Sequence, residues 1–189
     1  MDTVLTVIFV AMMAYMAWWL VCAIRTREAF RLEMCLGVGS LWAAGFTPLF
    51  FKGWPALIPP VPGLSPLGYV LLATSIGLFI AAVRSLHQGG QAGSGWEDTT
   101  ALTKEGLHGL VRHPMQLSGL VGACAMFLVN PLLPTLVLSI LSATCFVLAA
   151  SAEDRFNLSK FGEAYRAYMS QVPALNLPAG VWLRVQQGQ

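Results

Sequence analysis

Apolar residues fall in five runs along the chain, at 4–24, 34–51, 67–83, 110–129 and 132–150. Each approaches the roughly 20 residues that carry a helix across a hydrocarbon core of about 30 Å. The pattern predicts an all-α integral membrane protein with five transmembrane helices, in a single membrane domain over 1–189. The connection at Asn130-Pro131 is too short for anything but a tight turn, so the fourth and fifth spans are expected as an antiparallel helical hairpin. Pro55, Pro59, Pro60, Pro62 and Pro66 make the 52–66 connection extended. Residues 85–100 read as a glycine-rich polar loop. From Glu153 onward charged and apolar positions alternate, with Phe156, Leu158, Phe161, Tyr165 and Tyr168 recurring at spacings near three and four. That periodicity predicts an amphipathic interfacial helix over 153–170, ended by Pro173 and Pro178.

Composition fits this class. Hydrophobic residues make up 56% of the 189 and charged residues only 11%, against about 25% in soluble domains. A net charge of +2 with no basic tract gives no reason to expect nucleic acid. With five spans, ten of the eleven Lys and Arg residues fall on one side and Lys52 alone on the other. The positive-inside rule then places the N-terminus outside, and the C-terminus and the 100–116 loop in the cytoplasm. The first run lacks a basic start and exceeds the usual signal core, so it is expected to be a retained span. Cys22, Cys35, Cys124 and Cys145 lie in or beside apolar segments without ligand spacing and read as small buried hydrophobes.

The chemistry concentrates in 102–119, where a polar, glycine-punctuated entry runs through Arg112-His113-Pro114 into an apolar run. His108 and His113 are five apart, off the four-residue helical spacing of a shared metal, so no metal is expected. His113 and Pro114 are ordinary helix-start residues taken alone, and Glu153 and Asp154 are ordinary first-turn acids. No nucleophile with a positioned base and no phosphate cradle is present, and no catalytic residue can be named. Position alone predicts a polar pocket between the 100–116 loop and the C-terminal helix, at a depth where polar groups tend to be functional.

Gly106, Arg112-His113-Pro114, Asn130-Pro131, Glu153-Asp154, Phe161-Gly162, Tyr165, Tyr168 and Val172-Pro173 occur in an order and spacing that resembles the isoprenylcysteine carboxyl methyltransferase family. These are integral membrane enzymes related to phospholipid methyltransferases, and the likeness covers 102–178. It implies S-adenosyl-L-methionine as cofactor and a hydrophobic or lipid-like acceptor reached from the bilayer. It places the cofactor on Thr100, Ala101, Leu102, Thr103, His108, His113, Pro114, Met115, Gln116 and Glu153. Glu153 would pair with the cofactor's ammonium, and His113 and the 100–103 backbone would bond its polar edges. The chain departs from the family where tyrosines are replaced by His108 and Gln116, a glycine by Ser118, and two arginines by Ala149 and Gln171. The lost cations argue against a carboxylate-bearing acceptor. Families that look similar around Arg-His-Pro leave one alternative, a membrane reductase or nitric-oxide-metabolism relative, and the departures at Gln116, Ala149 and Gln171 leave another, a non-catalytic member that binds lipid or a partner.

Overall fold

The computed structural model describes residues 3–59, 63–89 and 102–186. Among these residues the chain is all-helical: α1 (Thr3–Thr26), α2 (Ala29–Phe50), α3 (Leu64–Gly89), a 3-10 turn (Gly106–Gly109), α4 (Pro114–Val129), α5 (Leu133–Phe161), α6 (Glu163–Gln171) and α7 (Leu177–Gln186).

Three of these helices, α1, α3 and α5, are long and apolar enough to cross a membrane. The reason that α2 and α4 fall short is visible in their packing. The fourth run begins as a helix only at Pro114, not at Leu110, because the 3-10 turn and an irregular stretch precede it. At 1.5 Å per residue its 16 residues span about 24 Å. Half of α4 is buried, and α2 carries Gly, Ser, Thr and Pro among its apolar residues. Both helices sit among others: α2 packs mainly on α5, and α3 on α4. Small residues and hydroxyls suit such contacts, since they let backbones approach and bridge helices where no water competes. Ser142 Oγ donates to Gly37 O at 2.8 Å, Ser75 Oγ donates to Ser118 O at 2.8 Å, and the Thr47 and Thr135 hydroxyls lie 2.6 Å apart. Met34, Ala82, Met115, Phe146 and Ala149 form the core cluster that joins α2, α3, α4 and α5.

The separate surface helix expected over 153–170 is corrected. Residues 153–161 continue α5 without a break, and Glu153 and Asp154 lie within that helix rather than in a first turn. Composition changes at Ser151, but no residue there stops a helix. The stop is Gly162, at φ +56° and ψ −130°, a conformation that a side chain disfavours. Only then does α6 begin. The outcome places the site: the 21 residues of α5 from Leu133 to Glu153 span about 30 Å. The third run is likewise longer than 67–83, since Pro66 is tolerated in the first turn of α3. The Pro178 read as a terminator stands in the first turn of α7.

Candidate functional site

The site assembles where α4 begins, where α5 emerges and where the chain returns after α6. Backbone bonds fasten the return: Arg112 N donates to Pro173 O at 2.9 Å and His113 N to Ala174 O at 3.1 Å. Arg112 then reaches across. Its guanidinium donates to both oxygens of Asp154, at 3.3 and 2.9 Å, and to the carbonyls of Met169 (3.0 Å) and Val172 (2.5 Å) at the end of α6. Asp154 also accepts Tyr165 Oη at 2.6 Å and His113 Nε2 at 2.7 Å. One carboxylate thus ties α4, α5, α6 and the return segment together.

His113 lies just before α4, outside any membrane-spanning helix, and is 1% exposed. Burial on its own would lower the imidazole's pKa, but the hydrogen bond to Asp154 and the nearby Glu153 outweigh it and raise the value to about 9. The ring is therefore an imidazolium at neutral pH. Its Nδ1 is 3.4 Å from Glu153 Oε2, an ion-pair distance without hydrogen-bond alignment, so that N–H has no bonded partner. Gln116 Nε2 donates to the same Glu153 oxygen at 2.5 Å.

His108 has the opposite character. Burial pulls its pKa down to about 4, with Glu153 opposing and His113 assisting, so this imidazole is neutral. Ser85 Oγ gives its one proton to Glu105 O at 2.7 Å, because a carbonyl only accepts. Ser85 can then only accept at its 3.0 Å contact with His108 Nδ1. The proton of His108 is on Nδ1, which leaves Nε2 as an acceptor. Tyr168 Oη donates to His108 O at 2.6 Å and fixes the 3-10 turn to α6. Burial raises the phenol pKa of both Tyr165 and Tyr168 well above the ordinary value, with Asp154 adding at Tyr165.

His108, Arg112, Gln116, Glu153, Tyr165 and Tyr168 line a cavity of about 80 Å³, the polar one of the site. Of the residues singled out in the sequence, Leu102, Thr103, His108, Pro114, Met115, Gln116 and Glu153 line it. His113 does not; it reaches the cavity through Glu153. Thr100 and Ala101 lie outside the described residues. Asp154 and Tyr165 were missed as organising groups, and Asn157 and Lys160 as lining ones; an acid next to Glu153 at the depth of Arg112 was the available signal. Thr103 Oγ1 is buried on the cavity wall without a partner. A neutral imidazole, an unsatisfied hydroxyl, a carboxamide and a carboxylate in the lining suit a ligand that carries both a cation and several hydrogen-bonding edges. The volume is below the roughly 300 Å³ of small-molecule pockets, so such a ligand requires the walls to part. Leu102 and Thr103 belong to a non-helical connection, the part of the wall least held by helix packing. No group of His, Cys, Asp and Glu able to hold a metal occurs among the described residues.

A second cavity, about 560 Å³, opens among α1, α2, α3, α4 and α5. Its wall holds Trp19, Leu41, Trp42, Phe79 and Phe146 and no charged residue. Met34 and Met115 line both cavities.

Among known proteins, a family model described as phospholipid methyltransferase matches residues 65–164 of this chain, from α3 to the start of α6. Comparison with curated proteins gives no match, and comparison with solved structures gives none.

Proposed function

From the premise that this chain belongs to the phospholipid methyltransferase family, we propose that it transfers a methyl group from S-adenosyl-L-methionine to a hydrophobic, lipid-like acceptor. The observation that carries this reading is the junction at Met34 and Met115 between a polar cavity and an apolar one. A donor on the polar side and a hydrocarbon on the other would meet across two flexible thioether side chains.

Bound there, the cofactor supplies a methyl group already activated on a sulfonium. The chain's own residues bind and orient. Glu153 is the anion available to the cofactor's ammonium, held by Gln116 and by the imidazolium of His113. His108 offers an acceptor nitrogen and Thr103 a free hydroxyl. Transfer from a sulfonium asks mainly for alignment and exclusion of water, so the absence of an evident nucleophile is no obstacle.

The apolar cavity supports an acceptor with one tail. At about 30 Å³ for each water-sized group, it holds roughly 20 methylenes, a single chain rather than two. Ala149, where related enzymes have an arginine, is fully buried in the core cluster. No cation lines the apolar wall, which fits an acceptor bound by its hydrocarbon and not by a carboxylate.

We read α1 to α5 as five spans, with the N-terminus outside and the site and C-terminus cytoplasmic. The ten-to-one partition of Lys and Arg supports that orientation. The test is incubation of the purified protein with methyl-labelled cofactor and a lipid extract of its host membrane. Label entering the organic phase, and lost in Glu153→Gln, is the expected result. No labelled lipid species with wild-type protein would count against methyl transfer.

A further inference from the structure

The last helix, α7, presents an unusual face. Gly180 is buried and Leu177 and Arg184 are half-buried, at spacings of three and four. Gly180 packs on the carbonyl oxygen of Leu110, so closely that a side chain there would overlap it. Arg184 lies against Gly109, where an added Cβ would meet the guanidinium and come within 2.8 Å of Lys104 O. The outer face is apolar: Val181 is 45% exposed, Trp182 65% and Val185 70%. In a chain held in a bilayer by three membrane-length helices, a short helix with aliphatic residues and a tryptophan outward fits the membrane interface.

Beside it lies a third cavity, about 180 Å³, with Lys104, Gln171 and Arg184 on its wall and no carboxylate. Neither cation has an acidic partner among the described residues. An interfacial α7 sets both at the depth of lipid headgroups, where the abundant anion is phosphate. The ammonium of a zwitterionic headgroup would find no anion on this wall, so a net-negative lipid is favoured.

We propose that Lys104 and Arg184 bind the phosphate of an anionic phospholipid, with α7 lying in the membrane surface. Tyr168 lines both this cavity and the donor cavity, and Lys104 and Arg184 flank the turn that carries His108. A bound headgroup therefore fastens that turn from outside. The site does not depend on methyl transfer.

The test is quenching of Trp182 by brominated lipid, isolated as the difference between wild type and Trp182→Phe. Brominated phosphatidylglycerol should quench at a lower lipid fraction than brominated phosphatidylcholine, by about fivefold for each cation. The preference should vanish in Lys104→Gln/Arg184→Gln and persist in Lys104→Arg/Arg184→Lys, with quenching of the remaining tryptophans unchanged. Equal quenching by both lipids, quenching by neither, or a preference that survives the glutamine variant would overturn the proposal. Loss of the preference on adding inorganic phosphate would assign the site to a free anion and overturn the lipid.

Discussion

Neutralising His113 tests whether the clamp at the mouth of α4 is ionic. The ring's pKa stands at about 9 against an ordinary 6.5. At 1.36 kcal/mol per unit, the difference of about 2.5 units corresponds to ~3 kcal/mol. Because the folded pKa is the higher one, that stabilisation is fully present below about pH 6.5. It declines as the unfolded chain releases its proton, and it is gone once pH rises through about 9. In His113→Gln the amide can still donate to Asp154 but carries no charge. The stability gap between wild type and variant should therefore shrink by ~3 kcal/mol between about pH 6 and about pH 10. For a chain of this size that is a change in melting temperature of roughly 6–12 °C, read by tryptophan fluorescence in detergent. Nitrogen NMR on histidine-labelled protein should find one ring still protonated on both nitrogens at neutral pH. A gap that does not vary with pH, or a His113 that titrates near 6.5, would refute the ionic clamp.

Other consequences follow from particular contacts. Asp154→Asn should cost about 3–5 kcal/mol, because it strands the buried charges of Arg112 and His113; thermal melting checks it. Leu41→Trp, which fills the apolar cavity without touching the polar one, should lower lipid methylation at least tenfold while leaving cofactor binding within twofold of wild type. His108 should appear in nitrogen NMR as the neutral Nδ1–H form at pH 7, and Ser85→Ala should release that tautomer preference.

The apolar runs were legible because a hydrocarbon solvent forbids charge, and so was the meeting of His113 with Glu153, now 3.4 Å apart. The end of α5 was not. A change from apolar to mixed composition marks where a helix leaves the bilayer, not where it stops, and the single residue that stops it is Gly162. Asp154 looked like a helix-terminus acid, since nothing in its neighbours along the chain reveals that Arg112, His113 and Tyr165 all converge on it. For α7, Pro178 reads as a breaker unless the helix is known to begin one residue earlier. The resemblance implies a place for His113 on the cofactor; in the structure its Nε2 bonds Asp154, its Nδ1 stands 3.4 Å from Glu153, and the ring is set behind the cavity lining.

On the proposed function, the Glu153 wall of the polar cavity grips the methyl donor. Isothermal calorimetry with S-adenosylhomocysteine, on purified wild type and on Glu153→Gln, measures it directly. Saturable binding by the wild type, weakened by about tenfold or more in the variant, a loss of roughly 1.4 kcal/mol, is the predicted result. No heat with wild-type protein, or equal affinity for both, would contradict it.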